Sequence, residues 1–208
     1  MLHSETVDPE TLSILIRLQS LPELKDFYLV GGTALSLKYG HRKSIDLDLF
    51  SHVGFEKEAI LTALSREFKM DFVYEHSHTT WAIFCFIKDV KVDIVKYDHP
   101  IISSIHEVDD IRMYGDDDII AMKVNAVLGR GKKKDFWDIS ELLNHYSLDH
   151  MISCNRNKYP QQMILISIPS ALTYFADADE SEEAVSLRGE TWESVKEHIQ
   201  LKVREYLS

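Results

Sequence analysis

The sequence predicts an α/β fold in which a mixed sheet with flanking helices is followed by a helical C-terminal half. Segments typical of strands are confined to the first half of the 208-residue chain. Amphipathic helical segments lie between them. After about residue 110 the apolar periodicity is almost entirely helical. We therefore expect an α/β core over residues 1–110 and a helical region over residues 111–208.

The first three elements predicted are a helix, a strand and a second helix. Residues 8–20 have apolar side chains at helical spacing, and Pro9 suits the first turn of that helix. Residues 27–32, FYLVGG, are typical of a short buried strand that ends in glycines. Residues 33–40 follow as a helix that ends at Gly40.

A strict period of two predicts the next strand, SIDLDLF, over residues 44–50. We expect its apolar residues, Ile45 among them, to face one side of the sheet. Asp46 and Asp48 then face the other side. Residues 55–68 return to helical spacing and predict the third helix.

Three further strands are predicted in the first half. They are DFVYEH (71–76), TWAIFCFI (80–87) and VKVDIVKY (90–97). Only Lys88 and Asp89 separate the last two, and so short a link favours a hairpin.

The second half of the chain contains three strong helical patterns. Residues 116–129 begin with acidic residues and end at a glycine, as the electrostatics and capping of a helix favour. Residues 134–146 and 192–207 have apolar residues at three- and four-residue steps. The acidic stretch 177–190 is typical of a solvated loop or the edge of a helix.

The overall charge excludes one broad class of function. A formal net charge of −11 argues against a protein that coats nucleic acid regardless of sequence. Two short basic segments, residues 38–43 and 129–134, can still contact an anion locally. Each of them, taken alone, is more typical of a solvated loop.

The location that the sequence favours is the cytoplasm. No run of about 18 apolar residues predicts a transmembrane helix, and the N-terminus lacks the pattern of a signal peptide. The two cysteines, Cys85 and Cys154, match no metal-binding spacing, and Cys85 lies in an apolar strand where we expect it to be buried. A reducing compartment suits this usage of cysteine.

Three aspartates are the candidate catalytic residues. Side chains two apart on a strand point the same way, with Cα atoms roughly 6.6 Å apart, so Asp46 and Asp48 share a face. Asp93 lies within an apolar strand, where a carboxylate is costly unless it is paired or bound to metal. If the two strands are neighbours, the three carboxylates suit Mg²⁺ or Mn²⁺. The alternatives are a polar outer face of the sheet, and an ion pair of Asp93 with Lys91 or Lys96.

Gly31, Gly32 and Thr33 are candidates for binding phosphate. A strand that ends in two glycines before a helix exposes backbone N–H groups at the helix N-terminus, which is a site that phosphates prefer. Thr33 can add a hydroxyl group. Two glycines by themselves more often form a turn. Their combination with two aspartates on the next strand predicts a triphosphate held between the two elements.

Two stretches resemble a known family. VGGTALSLKYGHRKSIDLDLF, residues 30–50, is similar to the signature of the AbiEii/AbiGii nucleotidyltransferase toxins of bacterial abortive-infection and toxin–antitoxin systems. These toxins belong to the polymerase β-like nucleotidyltransferase superfamily. MKVNAVLGRGKKKDFWDISELL, residues 122–143, matches the family's later pattern, a helical lysine followed by R-G-x-x-K-D-x-x-D. The resemblance covers residues 27–145.

The resemblance implies a nucleotidyltransferase fold and transfer of NMP from an NTP to an acceptor hydroxyl, on RNA such as tRNA or on a protein. The residues it implies are Asp46, Asp48 and Asp93 for metal binding and catalysis, Gly31, Gly32, Thr33 and Ser44 for the nucleotide, and Lys123 and Asp135 for nucleotide or acceptor. Arg42 and Ser44 would order the loop before the metal-binding strand. The partners it implies are an NTP, an RNA acceptor at the Gly129–Lys134 loop and a cognate antitoxin.

Each of the later residues also has an ordinary structural interpretation. Lys123 can be a surface lysine whose stem lies along its helix. Asp135 and Asp138 can be a capping or salt-bridging pair. Trp81 and Trp137 are more typical of a core than of base-stacking platforms.

Two other functions stay open at this stage. The chain can be a non-catalytic nucleotide-binding partner on the same fold, because a fold does not fix a function. It can also be another enzyme with a D-x-D pair, such as a glycosyltransferase acting on a nucleotide sugar. The released product separates these cases, because nucleotidyl transfer releases pyrophosphate.

Overall fold

A computed structural model describes residues 1–74 and 78–208. The strands, β1 to β7 in chain order, are Tyr28–Val30, Leu47–Ser51, Phe72–Tyr74, Ala82–Ile87, Val90–Lys96, His106–Val108 and Ile111–Met113. The α-helices, α1 to α9, are Pro9–Ser20, Gly31–Tyr39, Lys57–Phe68, Asp116–Gly129, Lys133–Leu142, Leu148–Lys158, Ile168–Leu172, Ala176–Asp179 and Trp192–Leu207.

The strands form one seven-stranded sheet in the order β3-β4-β5-β2-β1-β7-β6. The sheet is mixed, because β2 runs antiparallel to β1 and parallel to β5. β4 and β5 form the predicted hairpin. The predicted fold class, a mixed sheet with flanking helices and a helical C-terminal half, is confirmed.

One hydrophobic core joins the sheet to helices from both halves of the chain. Leu35 of α2, Leu47 of β2 and Phe136 of α5 all lie in it and are at most 1% exposed. β7 follows residue 110 and pairs with β1 in the same sheet. The sheet therefore extends to Met113, beyond the predicted division of the chain at residue 110. That division stays a prediction.

Two predicted boundaries shift near the motif. β2 begins at Leu47, so Asp46 precedes the strand, and Ile45 is 63% exposed instead of facing the core. α2 begins at Gly31, two residues before its predicted start, so both glycines lie in its first turn. The strand predicted over 71–76 is observed over Phe72–Tyr74. Its positions 75 and 76 lie outside the described residues.

The acidic stretch 177–190 is attached to the fold more firmly than a solvated loop. Ser186 forms an isolated β-bridge with Arg42. Arg188 donates hydrogen bonds to both carboxylate oxygens of Glu141, at 2.9 and 3.0 Å, and to the carbonyl of Tyr39. These contacts bring the C-terminal part of the chain against the loop that carries the candidate site.

Candidate active site

Asp48 and Asp93 are register partners on the parallel strands β2 and β5. Neighbouring strands lie about 4.8 Å apart and in-register side chains share a face, so the two carboxylates are adjacent. Burial raises the pKa of Asp48, and the charge of Asp93 raises it further. Asp93 Oδ1 is buried and has no hydrogen-bond partner among the described residues. The two strands are neighbours, which is the condition that the sequence analysis set for a shared metal site.

Gly31 allows the carboxylate of Asp48 to pack directly against the start of α2. Its φ is +73°, and a Cβ atom added there would lie 2.6 Å from Asp48 Oδ2. A side chain at this position would therefore be strained and would also displace the carboxylate. Glycine is therefore required at position 31 because Asp48 lies so close to it. The sequence suggested another reason for this glycine, a contact with phosphate.

Gly32 leaves room for the side chain of Arg42, as Gly31 does for that of Asp48. A Cβ atom added there would lie 2.2 Å from Arg42 Nη2, so the guanidinium occupies the space beside the glycine. The helix that begins here has no side-chain cap at Val30, its N-cap residue. The first N–H groups of α2 have no partner within the helix, which is the property that makes a helix N-terminus attract anions.

Thr33 and Ser44 connect the helix to the motif strand. Thr33 is 1% exposed, and its hydroxyl lies 2.8 Å from Ser44 Oγ and donates to the backbone carbonyl of Asp46. These bonds fix the backbone where Asp46 enters β2. Thr33 therefore positions Asp46 through its main chain.

The three predicted metal ligands have different neighbours. Lys134 Nζ lies 3.2 Å from Asp46 Oδ2, and Lys91 Nζ lies 2.6 Å from Asp93 Oδ2. The ion pair of Asp93 with Lys91 was one of the alternatives that the sequence left open, and it coexists with the contact to Asp48. In each of these two pairs, the lysine ammonium occupies a position at the carboxylate that a metal cation can take instead.

Behind the carboxylates lies a buried ionic network centred on Asp138. This residue is fully buried and accepts hydrogen bonds from His41 at 2.7 Å and from two nitrogens of Arg42 at 2.7 and 2.8 Å. Lys123 Nζ lies 2.7 Å from Asp138 and 3.1 Å from Asp135. Burial alone would raise the pKa of Asp138, but Arg42 and Lys123 hold that pKa well below its usual range.

The surface-lysine interpretation of Lys123 is wrong, because Lys123 is 5% exposed. Burial acts to lower its pKa, but Asp138 and Asp135 raise it above the usual value. The salt-bridging interpretation of Asp135 and Asp138 is correct, although their cations are Lys123, Arg130 and Arg42. Asp138 is a site residue that the sequence analysis assigned no functional role.

The basic segment Gly129–Lys134, predicted as a loop, spans the end of α4, a short turn and the start of α5, and it is only in part a free basic patch. Arg130 lies 3.0 Å from Asp135, Lys133 lies 3.0 Å from Glu183, and Lys134 reaches Asp46. Within the part of the chain that the structure describes, Lys132 alone of the loop's cations has no acidic partner. Arg130 is therefore bound to the buried ionic network, and Lys134 is bound to a candidate metal ligand.

A small cavity of about 30 Å³ lies between these groups. It is lined by Gly32, Thr33, Arg42, Ser44, Asp46, Asp48, Lys123, Arg130 and Lys134. This volume is about that of one water molecule. Four larger cavities elsewhere on the described surface contain none of the predicted metal-binding or phosphate-binding residues.

The residues present suit a divalent metal. Asp48 with its raised pKa and the unpartnered Oδ1 of Asp93 supply adjacent hard oxygen ligands, which Mg²⁺ and Mn²⁺ prefer. Only one group of three potential ligand atoms lies within 4.8 Å of one another among the described residues, and it consists of Asp117, His150 and Cys154. Asp46, Asp48 and Asp93 therefore do not bring three ligand atoms within that distance, and Asp46 is paired with Lys134.

An exposed aromatic surface borders the carboxylates. Phe84 of β4 is the register partner of Asp93 and is 42% exposed. Trp81 is 53% exposed and makes an edge contact with Phe84, with ring centroids 6.1 Å apart. The prediction that Trp81 lies in the core is wrong, because β4 is near the edge of the sheet and one face of this region is uncovered. Trp137, by contrast, is buried as predicted.

Comparisons with known proteins identify the family of this chain. The family model for the nucleotidyl transferase AbiEii toxin of a type IV toxin–antitoxin system matches residues 13–183. The protein aq_aa25 of Aquifex aeolicus (strain VF5) is 32% identical over 204 residues, which cover 95% of this chain and 96% of that protein.

Two solved structures share the fold. JHP933 from Helicobacter pylori has a TM-score of 0.57 at 20% identity, covering 96% of this chain and 92% of its own. MenT4, a nucleotidyltransferase toxin from Mycobacterium tuberculosis H37Rv, has a TM-score of 0.57 at 11% identity, covering 91% of this chain and 81% of its own. The chain belongs to the AbiEii family of nucleotidyltransferase toxins, as its sequence motifs indicated.

Proposed function

We propose that the protein transfers NMP from an NTP to a hydroxyl group of RNA, with Mg²⁺ or Mn²⁺ as cofactor. The observation that carries this proposal is the register pair of Asp48 and Asp93, in which the buried Oδ1 of Asp93 has no hydrogen-bond partner within the described part of the chain. Two adjacent, partly buried acids are unfavourable unless a cation neutralises them. Asp46, Asp48 and Asp93 would hold the metal.

The metal, when bound, stabilises negative charge on the phosphates and favours deprotonation of the attacking hydroxyl. The chain's own groups provide the positioning. The carboxylate of Asp93 would lie beside the acceptor hydroxyl and accept its proton. Asp138 and Asp135 hold Lys123 behind the cavity, where its positive charge faces the incoming phosphates.

Binding of the nucleotide requires the cavity to widen. A triphosphate is far larger than the present 30 Å³. Lys134 and Arg130 line this cavity, and both are partly exposed at its rim. In this proposal they exchange their carboxylate partners for phosphate oxygens, which form strong charge-assisted hydrogen bonds. The N-terminus of α2, at Gly31–Thr33, supplies N–H donors to the same phosphates.

RNA is the acceptor that the surroundings favour. Trp81 and Phe84 present exposed rings beside Asp93, and unpaired bases stack on such rings. Lys132, which has no acidic partner among the described residues, adds a cation on the turn between α4 and α5. The acidic total charge limits the contact to this local surface.

The family also supports a cellular setting. Membership in a type IV toxin–antitoxin family suggests an antitoxin partner, and the proposed role of the chain is that of the toxin in such a pair. None of the described helices has the length and apolar character needed to span a bilayer. A cytoplasmic location, where NTPs and tRNA occur, fits the proposal.

The test is transfer of label from each α-labelled NTP to total cellular RNA, with Mg²⁺ and purified protein. We expect one RNA species to be labelled, with release of pyrophosphate, and no labelling by Asp48→Asn. Asp89→Asn, at the exposed hairpin turn, is the matched control and should retain activity. Release of a nucleoside diphosphate from a nucleotide sugar, or labelling that survives Asp48→Asn, would contradict the proposal.

A further inference from the structure

A second cluster of metal-ligating side chains lies away from the candidate active site, between α4 and α6. His150 Nε2 lies 2.9 Å from Asp117 Oδ1 and 3.4 Å from Cys154 Sγ. The three atoms all lie within 4.8 Å of one another. His150 and Cys154 are four residues apart on α6 and therefore share one face of that helix.

The charges around the cluster leave one acid without a permanent cation. The first turn of α4 contains Asp116, Asp117 and Asp118. Asp116 pairs with Lys38, and Asp118 pairs with the buried Lys158 at 2.6 Å. Asp117 has no lysine or arginine partner among the described residues, and its neighbours are the two other members of the cluster.

The imidazole of the cluster packs against a tyrosine ring, and the cluster is partly open to water. The ring of Tyr146 stacks on the ring of His150, with centroids 5.4 Å apart and an interplanar angle of 18°. Cys154 is 3% exposed, whereas the side chains of Asp117 and His150 are 37% and 41% exposed. A metal ion held here by three protein atoms can therefore take water as its fourth ligand.

The combination of sulfur, nitrogen and oxygen ligands favours Zn²⁺ over Mg²⁺. Thiolate with imidazole and carboxylate suits Zn²⁺, whereas Mg²⁺ prefers oxygen ligands alone. Tetrahedral coordination with bonds of about 2.0–2.3 Å places the ligand atoms roughly 3.3–3.8 Å apart. The present separations of 2.9 and 3.4 Å need only small side-chain adjustments to reach those values.

We propose that Asp117, His150 and Cys154 form a zinc site that joins the start of α4 to α6. On binding, the Cys154 thiol loses its proton to solvent and the sulfur becomes a thiolate ligand, with no change in the oxidation state of the metal. The site is separate from the carboxylates of the candidate active site. The two sites are connected through α4, which carries both Asp117 and Lys123.

Coordination of zinc by Cys154 has a consequence that calorimetry detects. Binding of Zn²⁺ should release about one proton per chain from this residue, because a coordinating thiol is deprotonated. Calorimetry in buffers of different ionisation enthalpy measures that number.

The decisive experiment is a titration of the full-length protein with Co²⁺ and Zn²⁺ in the presence of excess Mg²⁺. We expect one Co²⁺ per chain with a thiolate-to-cobalt charge-transfer band, and displacement of Co²⁺ by Zn²⁺. Cys154→Ser should abolish the band. Cys85→Ser, which alters the chain's other buried cysteine, should keep it.

A second readout guards against a variant that fails to fold. Zn²⁺ at about 100 times its Kd should raise the Tm of the parent protein by roughly 5–10 °C and leave that of Asp117→Asn almost unchanged. Asp117→Asn retains the size of the side chain and should unfold near the parent Tm without metal. A Co²⁺ spectrum without the thiolate band, or equal Zn²⁺ retention by the parent and Cys154→Ser, would overturn the zinc site and leave the proposed nucleotidyl transfer untouched.

Discussion

Asp48 and Asp93 stand side by side on parallel strands, and the raised pKa of Asp48 reports their mutual repulsion together with burial. This relationship ties the fold to the proposed chemistry. A metal-free protein is strained by it electrostatically, and a cation relieves the strain.

We expect Asp48→Asn to stabilise the metal-free protein while it abolishes transfer. The pKa of Asp48 is higher in the folded than in the unfolded state, so folding is less favourable once pH rises through the unfolded and then the folded pKa. Asp48→Asn has no charge at this position, so its free energy of unfolding should exceed that of the parent protein by about 1 kcal/mol at pH 8 in EDTA. Urea unfolding measures it. Mg²⁺ should raise the Tm of the parent protein only, and an equal rise in the variant would exclude Asp48 as a ligand.

Lys91→Met should tighten metal binding. Lys91 Nζ lies 2.6 Å from Asp93 Oδ2 and competes with a cation for that carboxylate. Its loss should lower the Mg²⁺ concentration at half-maximal Tm shift by about threefold to tenfold, or about 0.7–1.4 kcal/mol. Lys202→Met, on a surface pair with Glu205, is the control. No change relative to that control would mean that the metal does not contact Asp93.

Gly31→Ala separates backbone strain from contact with Asp48. Gly31 and Gly189 both have a positive φ, +73° and +77°, but only at Gly31 would a Cβ atom meet a neighbour. Gly189→Ala should therefore lose about 1 kcal/mol of stability and keep its activity. Gly31→Ala should lose more stability and nearly all transfer. Matching activities for the two variants would show that the approach of Gly31 to Asp48 is not required.

The local parts of this site were accessible from the sequence, because they depend on alternation along one strand and on a glycine pair before a helix. Asp48 and Asp93 were predicted on this basis. Asp138 was not assigned a role, because its partner Arg42 is 96 residues away and no local period connects them. Trp81 was placed in the core because its segment is apolar, whereas its exposure depends on which face of the sheet is covered. The separation of the chain at residue 110 stays a prediction.

Asp138→Ala should destabilise the protein by about 3–5 kcal/mol, because it leaves Arg42 and Lys123 buried without their shared acid. The lowered pKa of Asp138 means that its contribution is present above the unfolded pKa and is lost as pH falls through the folded value. Urea unfolding at pH 7 and at pH 3 measures both statements. Asp149→Ala, an exposed acid on α6, should change stability by less than about 1 kcal/mol. Similar losses for the two variants would contradict the central role of Asp138.

Phe84→Ala tests whether the aromatic surface binds the acceptor. Phe84 is paired in register with Asp93, so a base stacked on its ring lies next to the reacting groups. Loss of one stacking contact of about 1–3 kcal/mol should raise the KM for RNA by roughly 5- to 150-fold and leave the KM for NTP unchanged. Phe84→Trp should preserve the lower KM, because tryptophan offers a comparable stacking face. Tyr206→Ala, which removes an exposed ring from α9, controls for general effects of losing an aromatic residue. If Phe84→Ala altered the KM values for NTP and RNA equally, the ring would act on the shared site and not on the acceptor, and a protein hydroxyl would become the better candidate.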